Sequence, residues 1–366
     1  MSPEPLSGPP AKVLLVGFGF GGSVFHAPFI DAEPRLELAT VVTSDLRRRD
    51  EVVEHHPSAT VAVNLDEALA SDVDYSLAVV TTPNATHVPI AETLLARGIP
   101  LVVDKPVAPT AEQARQLGRL AEEHGAAVVP FQNRRYDADF RTVERLLEAG
   151  PLGTLARFES RYERWKPEVD ASSPRGWKED SDPAAANGII YDLGAHLVDQ
   201  AVVLFGHPER VYAEIATRRP GARVNDDVFI ALSYPGGLEA HLWMNAAAAL
   251  PGPRFRLLGS VCGFEKYGMD TQENALLAGA LPRSPGFGDE PAGSWGVLGT
   301  PESSEPVPSL TGDYGLFYGG VAHWLYDGAE PPVQLGDSIL GLEIIEAALR
   351  SAASGQVVGL DPAPAA

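Results

Sequence analysis

The feature that most constrains the fold of this chain is an apolar run that leads directly into a glycine-rich turn. Residues 12–16, KVLLV, have the continuous apolar character of a strand buried on both faces of a parallel sheet. Glycines that follow such a strand allow a tight turn and the close approach of a diphosphate to a helix N-terminus. Residues 17–22 therefore predict a dinucleotide-binding loop, with a glycine-rich turn that binds no ligand as the alternative. The loop, in which Gly17, Gly19 and Gly22 fit the pattern G-x-G-x-x-G, consists of Gly17, Phe18, Gly19, Phe20, Gly21 and Gly22.

The pattern of predicted strands and helices changes near residue 133. Before it, strand-like runs alternate with helical patterns, such as those at 87–97 and 111–123, which predicts a parallel, doubly wound sheet. After it, strand candidates follow one another closely and residues 235–237, PGG, predict a hairpin turn, which favours an antiparallel sheet. Strands are predicted at 12–16, 36–43, 75–80, 101–103, 127–131, 155–165, 210–217, 228–234, 238–245, 255–258 and 263–267, and further helices at 137–149, 191–205, 314–326 and 338–353.

These patterns predict two domains, which a chain of 366 residues also favours because one hydrophobic core rarely serves that length. After a flexible tail at 1–10, residues 11–133 form an α/β domain of the Rossmann dinucleotide-binding type. Residues 134–360 form an α+β domain on an open, mostly antiparallel sheet, which we expect to bind substrate and to mediate oligomerisation. A stretch rich in Gly, Pro and Ser at 279–312 predicts a long loop, a lid or an interface arm, and the last residues, DPAPAA, predict a loose end.

The charge and the cysteine content exclude several kinds of partner. Twenty-eight Lys and Arg against 49 Asp and Glu give a net charge of −21, which repels nucleic acids and anionic membranes. The single cysteine, Cys262, cannot form an intrachain disulfide and suits a reducing compartment such as the cytoplasm. The apolar stretch at 189–205 contains Asp192, His196 and Asp199, which are costly in lipid, so we expect no membrane span.

The end of the second predicted strand should decide between the two nicotinamide dinucleotides. Ser44 can donate a hydrogen bond to a 2′-phosphate, and Arg47 or Arg48 can pair with it, which favours NADP(H). One alternative makes Asp45 the N-cap of a helix with both arginines exposed. A third places Asp45 on the ribose hydroxyls, which would select NAD(H).

Two further groups of polar residues point to chemistry. Lys105 follows a strand end, where a lysine can bind a substrate oxygen and relay its proton, although a lysine at such a place is also commonly a surface residue. Asp192, His196 and Asp199 share one face of an otherwise apolar helix. A histidine there suits a general base whose tautomer a carboxylate fixes. The alternatives are a hydrogen-bonded core histidine and a two-ligand metal site, but no third ligand stands out and we predict no metal.

Four ordered motifs together resemble the Gfo/Idh/MocA family, named for glucose–fructose oxidoreductase and inositol dehydrogenase. They are the glycine loop with residues 24–29, VFHAPF; residues 81–87, TTPNATH; residues 104–106, DKP; and residues 187–199, NGIIYDLGAHLVD. The resemblance spans nearly the whole chain apart from the tails and 279–312. The family usually has Glu-Lys-Pro. The Asp-Lys-Pro form, with FHAPF and residues 131–137, FQNRRYD, is similar to the family's NADP-dependent scyllo-inositol dehydrogenase branch.

The resemblance implies roles for individual residues. Lys105 and His196 would be the acid–base pair, and Asp192 would orient the substrate or His196. Arg134 would reach the substrate, or would be a structural ion-pair partner. The cofactor site would also include Thr82, Pro83, Asn84, His87 and Asp104, and aromatic walls of the pocket would come from Tyr136, Trp165 and Trp177, although aromatic residues more often serve packing.

We therefore expect an oxidoreductase that passes a hydride between C4 of a nicotinamide and a secondary carbon of a polyol, sugar or cyclitol. His196 would remove the hydroxyl proton and Lys105 would stabilise the developing oxyanion. The alternatives are an NAD-dependent glycosidase of the same fold and a catalytically silent dinucleotide-binding sensor, although a sensor needs only the glycine loop. Apolar residues on both parities of 229–232 and 242–244 predict a homodimer or homotetramer through the second sheet.

Overall fold

The computed structural model describes residues 7–169 and 176–361. The predicted loose ends at 1–6 and 362–366 lie outside the described residues, and residues 7–10 are exposed. Up to residue 133, strands and helices alternate as predicted, with one short strand, at 60–62, that the pattern did not indicate. The elements are β1 (Ala11–Val16), α1 (Ala27–Ala32), β2 (Leu36–Val42), α2 (Leu46–His55), β3 (Thr60–Ala62), α3 (Leu65–Leu69), β4 (Leu77–Val80), α4 (His87–Leu95), β5 (Leu101–Asp104), α5 (Ala111–Glu123) and β6 (Val128–Phe131).

The six strands form one parallel sheet in the order β3-β2-β1-β4-β5-β6. This is the strand order of a Rossmann fold, so the predicted α/β architecture is confirmed. The strand order reverses between β1 and β4, and ligands of such sheets bind beyond the carboxyl ends of the strands at that point. β4 is buried along its whole length, which explains why the apolar runs are continuous rather than alternating.

The later elements include a hairpin where a loop was predicted. Within 279–312, two five-residue strands pair with each other in antiparallel register. The second of them contains Pro306 and lies at the edge of its sheet, where a missing N–H is tolerated, so a composition typical of loops is compatible with strand.

The elements after residue 133 are α6 (Ala138–Ala149), β7 (Leu155–Glu163), α7 (Ala195–Phe205), β8 (Arg210–Ala216), β9 (Asp227–Ser233), β10 (Glu239–Asn245), β11 (Phe255–Gly259), β12 (Gly263–Lys266), α8 (Gln272–Leu277), β13 (Gly296–Thr300), β14 (Ser303–Val307), α9 (Gly315–Asp327), α10 (Leu335–Ser354) and β15 (Val358–Gly359).

The chain divides into two compact units whose bounds differ from the predicted ones. The first unit comprises the residues up to Asn133 together with Glu273–Phe287 and Asp313–Ser338. The second comprises Arg134–Gln272, Gly288–Gly312 and the residues from Ile339 onwards. The two later segments of the first unit, which include α9, fall in the range that the sequence pattern gave to the second domain.

The second unit is built on a nine-stranded sheet in the order β14-β13-β12-β11-β7-β10-β9-β8-β15. β7 and β10 run parallel and every other described pair is antiparallel, so the predicted mostly antiparallel sheet is confirmed. Alternate residues of β9 and β10 are buried in one core with α7 and α10, and the residues between them are only partly buried. The sheet therefore has one face covered by helices and one face with less cover.

One stretch among the described residues, Pro183–Phe205, is long and apolar enough to cross a membrane by length and composition. In its most apolar window, 67% of the residues are buried inside the protein, as is usual for a core helix. The stretch ends in a π-helical turn, Ile190–Gly194, and α7, which stops at Gly206 where φ is +72°. Glycine is favoured there because its φ is positive.

Candidate functional site

The glycine loop has the geometry that a dinucleotide requires. Gly17 has a φ of +103°, and a Cβ there would lie 2.9 Å from the carbonyl oxygen of Thr81. A Cβ on Gly22 would collide with the carbonyl oxygen of Gly17. At Gly19, by contrast, the nearest atom to such a Cβ is Nη1 of Arg48 at 4.0 Å, so the space beside the loop is open. Residues at this site therefore fit a nicotinamide dinucleotide, whose diphosphate needs this close approach to the backbone.

The two aromatic residues of the loop have different surroundings. The side chain of Phe18 is buried and packs edge-on against His56, with ring centroids 5.8 Å apart, so only its backbone can face a ligand. Phe20 is only partly buried and packs edge-on against Phe25 at 5.5 Å. For Phe18, the predicted cofactor contact is thus restricted to main-chain atoms, whereas the side chain of Phe20 keeps some exposed surface.

The residues after β2 separate the two arginines that the sequence treated alike. Asp45 caps α2 by accepting the backbone N–H of Arg48 at 3.2 Å, and that N–H, opposed by some burial, keeps the pKa of the Asp45 carboxyl below its ordinary value. Arg48 lies beside Gly19 and 3.9 Å from Asp45, whereas Arg47 is 75% exposed and pairs with Glu51. The helical phase therefore brings Arg48 to the loop and directs Arg47 to solvent.

The sequence analysis assigned no role to a third arginine in this segment, Arg49. Arg49 donates from Nε to the carbonyl oxygen of Thr43 at 3.1 Å and from Nη2 to that of Ser44 at 3.3 Å. Ser44 itself is exposed. Arg49 thus fixes the backbone at the end of β2 and leaves the Ser44 hydroxyl at the surface.

The loop after β4 is held from the inside by His87. This side chain is buried, with Nδ1 2.9 Å from the carbonyl oxygen of Pro106 and Nε2 2.8 Å from that of Thr82. Burial lowers the pKa of His87, and nearby Asp104 and the two carbonyls oppose this only in part. Both ring nitrogens face backbone carbonyls, so His87 joins the loops after β4 and β5 rather than presenting a donor to a ligand. The neighbouring Asn84 begins a short 3₁₀ turn after Pro83.

Asp104 organises the end of β5. Its Oδ1 accepts the backbone N–H of Lys105 at 2.7 Å, and its Oδ2 accepts the hydroxyl of Thr81 at 3.3 Å. Burial opposes ionisation of this carboxyl, but His26, Lys105 and His87 outweigh it and hold the pKa of Asp104 below its ordinary value. Lys105 is partly buried and precedes a cis peptide bond to Pro106. The predicted lysine therefore stands at a strand end beside an ionised carboxylate.

Two of the three polar residues of 192–199, Asp192 and Asp199, have different ion-pair partners in the second unit. Asp192, in the π-helical turn, lies 2.9 Å from Nζ of Lys178. His196 is 6% exposed at the start of α7. Asp199 is buried and binds Arg135 through two hydrogen bonds of 2.8 and 2.6 Å. Asp199 is thus a structural partner of Arg135, while Asp192, which pairs with Lys178, and His196 are the candidates for substrate contact.

Arg134 makes the contacts expected of a structural ion-pair partner, which was the alternative to substrate binding. It is buried, pairs with Asp137 at 3.2 Å and donates to the hydroxyl of Tyr162 at 2.7 Å. Arg164 donates to the same hydroxyl at 2.6 Å, so two guanidinium groups meet on one phenol oxygen. The sequence did not indicate Tyr162 or Arg164, because β7 and the residue that follows it carry no motif. The pKa of Arg164 is raised by Tyr162 and Asp192, although burial opposes this.

The predicted aromatic walls are only in part suited to that role. Trp165 is 58% exposed and forms an isolated bridge with Ala247. Trp177 is 36% exposed, and Nζ of Lys178 lies 5.8 Å from the centre of its ring. Burial raises the pKa of Tyr136 to about 12. Across residues 7–169 and 176–361, no three His, Cys, Asp or Glu side chains are grouped so as to hold a metal ion.

Comparison with known proteins agrees with this geometry. Residues 11–131 match the oxidoreductase family with an NAD-binding Rossmann fold, and residues 140–265 match the GFO/IDH/MocA C-terminal domain. The chain is 34% identical to the scyllo-inositol 2-dehydrogenase (NADP(+)) of Bacillus subtilis, over 96% of each chain. It is 37% identical to the uncharacterized oxidoreductase YdgJ of Escherichia coli, over 93% of this chain and 96% of that one.

Solved structures give the same result. The oxidoreductase yvaA from Bacillus subtilis superposes with a TM-score of 0.90 at 33% identity, covering 96% of this chain and 99% of that one. An oxidoreductase from Bacteroides fragilis superposes with a TM-score of 0.85 at 34% identity, covering 96% and 100%. With both halves matched, the chain belongs to the Gfo/Idh/MocA family of NAD(P)-dependent oxidoreductases.

Proposed function

We propose that this protein transfers a hydride between NADP(H) and a secondary alcohol or ketone of a cyclitol, polyol or sugar, in the cytoplasm. The observation that carries the proposal is the arrangement at the end of β5. A Cβ on Gly21 would lie 2.9 Å from Oδ2 of Asp104, so the carboxylate beside Lys105 abuts the glycine loop. Lys105, the residue after Asp104, is therefore proposed to lie at the edge of the sheet where the cofactor binds.

When bound, the nicotinamide supplies or accepts the hydride. The ammonium of Lys105 would stabilise the negative charge that develops on the substrate oxygen. His196 would take the hydroxyl proton of the alcohol, and Asp192 with Lys178 would hold the substrate hydroxyl groups. A cyclitol is supported as the substrate class by the relative from Bacillus subtilis, whose name gives scyllo-inositol and NADP(+).

NADP(H) is the proposed cofactor because the β2 end offers a cation beside the loop. Arg48 stands between Asp45 and Gly19, where a 2′-phosphate would find a guanidinium partner. Asp45 already accepts a backbone N–H as a helix cap, which leaves its carboxylate less suited to ribose hydroxyls. NAD(H) is the second candidate cofactor for the same loop, with a free ribose 2′-hydroxyl in place of the 2′-phosphate.

A panel of cyclitols, polyols and sugars tests the reaction with NADP and NAD by absorbance of the reduced nicotinamide. Net formation of NADPH with scyllo-inositol or a related polyol supports the proposal. Glycoside cleavage without net reduction of the cofactor would instead identify a glycosidase. Cofactor binding without turnover of any panel member or glycoside would identify a sensor.

We also propose a homodimer or homotetramer through the less covered face of the second sheet. Phe229 and Trp243 lie on that face with ring centroids 5.1 Å apart, and the guanidinium of Arg161 stacks 3.9 Å from the centre of the Trp243 ring. Aromatic and arginine side chains are enriched at protein interfaces. Light scattering should give at least twice the mass of one chain, and Trp243→Asp should lower it. A single-chain mass for the unaltered protein would contradict this proposal.

A further inference from the structure

His26 belongs to the VFHAPF segment, to which the proposed reaction gives no role. Its side chain has no exposed surface. Nδ1 lies 2.6 Å from the hydroxyl of Tyr318, on α9 of the same unit, and Nε2 lies 3.8 Å from Oδ2 of Asp104. The ring packs against Phe131 with centroids 4.1 Å apart. A fully buried imidazole thus lies between a tyrosine hydroxyl and the carboxylate that precedes Lys105.

The hydrogen-bonding possibilities select one tautomer of His26. Burial raises the pKa of Tyr318 well above its ordinary value, so the phenol keeps its proton. The hydroxyl has no acceptor but Nδ1 among the described residues, so it donates there and the ring proton is on Nε2. In the other tautomer, the hydroxyl hydrogen would lack an acceptor and the Nε2 lone pair would face a carboxylate. The Nε2–H then lies 3.8 Å from Oδ2 of Asp104, too far for a direct hydrogen bond, so it acts on the carboxylate through charge.

The Asp104 carboxylate makes two hydrogen bonds. Oδ1 accepts the N–H of Lys105 and Oδ2 accepts the hydroxyl of Thr81. The backbone of Gly21 leaves no room for a Cβ beside Oδ2. The charged or titratable groups around it are His26 after the glycine loop, His87 on α4, Lys105 on its own loop and, beyond His26, Tyr318. The Asp104 carboxylate therefore links His26 to the backbone N–H of Lys105.

We propose that His26 and Tyr318 are positioning residues that orient the Asp104 carboxylate and, through it, the backbone and ammonium of Lys105. This inference rests on the proposed function, because it assigns Lys105 to the reacting oxygen. Small displacements of a reacting group lower turnover far more than they lower binding. Loss of His26 or Tyr318 should therefore act on kcat rather than on KM or on cofactor affinity.

Substitutions at both positions test the inference through steady-state kinetics on the best panel alcohol. His26→Leu and Tyr318→Phe should lower kcat by roughly 10- to 100-fold, the effect of a misplaced catalytic group, with KM and the NADPH dissociation constant little changed. His26→Gln places an amide N–H near the Nε2 position and should restore most of kcat. The control is Tyr75→Phe, which removes another buried hydroxyl of the same unit, bonded to Thr40 at 2.8 Å, and should leave kcat unchanged.

Nitrogen NMR of histidine-labelled protein gives a readout that needs no turnover. The His26 signal, assigned with the His26→Gln variant, should show the Nε2–H tautomer and should shift in Asp104→Asn. An Nδ1–H tautomer, or a signal indifferent to Asp104→Asn, overturns the inference, as does wild-type kcat in His26→Leu or in Tyr318→Phe. If no panel alcohol is oxidised, the proposed function fails separately, and the histidine signal alone then decides whether His26 orients Asp104.

Discussion

Arg48→Ala should weaken NADPH binding while leaving NADH binding almost unchanged. The guanidinium is one-third exposed, lies 4.0 Å from the Cβ position of Gly19 and is 3.9 Å from Asp45. Alanine keeps the backbone N–H that Asp45 accepts, so the cap of α2 survives the substitution. The change therefore removes one guanidinium next to the loop and little else.

The magnitude follows from the kind of bond that is lost. A hydrogen bond to a charged group is worth about 1.5–3 kcal/mol. At about 1.4 kcal/mol per factor of ten, this raises the NADPH dissociation constant roughly 10- to 150-fold. The effect should shrink as salt is added, because a partly exposed ion pair is screened.

Arg47→Ala is the matched control for this prediction. Arg47 precedes Arg48 in the same helix, but it is 75% exposed and pairs with Glu51 at 3.8 Å. Removal of such a surface pair costs about 0–1 kcal/mol of stability and no cofactor contact. Fluorescence titration of each variant with NADPH and with NADH measures the four dissociation constants, and it needs no substrate. Equal weakening of NADPH and NADH by Arg48→Ala, or weakening of NADPH by Arg47→Ala to the same extent, would refute the reasoning.

Three further predictions address chemistry and stability. His196→Ala should lower kcat by roughly 10²–10⁴-fold, the usual contribution of a general acid–base group, with the NADPH dissociation constant unchanged; near-normal turnover would make His196 a core histidine. Burial and the nearby Asp139 raise the pKa of Asp270 to about 6, so the folded state holds this proton more tightly than the unfolded state does. Protonated Asp270 therefore adds about 3 kcal/mol to the free energy of unfolding at acid pH. This contribution is lost as pH rises from about 4 to about 6. Urea unfolding across this range should show that loss in the wild type and a flatter profile in Asp270→Asn. Lys266→Met should destabilise the second unit by about 3–5 kcal/mol, because it leaves Glu290, fully buried and 3.0 Å away, without its cation. The double variant with Glu290→Gln should unfold at a higher urea concentration than Lys266→Met alone. A Lys266→Met variant as stable as the wild type would contradict this prediction.

The sequence by itself determined the elements whose signal is local. The buried strand, the glycine turn and the following helix stand next to one another in the chain, and α5 has the bounds that its pattern predicts, 111–123. Lys105 follows a strand, so its place at the carboxyl edge of the parallel sheet was predictable as well. Each of these follows from periodicity, glycine conformation or the rules of parallel sheets, which act within a few residues.

Composition misled where a local signal was weak. The hairpin of β13 and β14 lies in a stretch rich in Gly, Pro and Ser. β13 is held by pairing with β12, and β14 by pairing with β13, rather than by their own propensity. Strand formation depends on the partner strand more than on the intrinsic preference of the residues. The short β3 is likewise held by its pairing with β2.

Only the tertiary structure decided which side chains meet. Arg47 and Arg48 are equivalent in the sequence, and the phase of α2 against the glycine loop separates them. His26 and Tyr318 are 292 residues apart and share one hydrogen bond, and Arg134 is occupied by Asp137 and Tyr162. The physical reason is that a periodic pattern specifies which residues of an element are buried, but not which distant side chain packs against them.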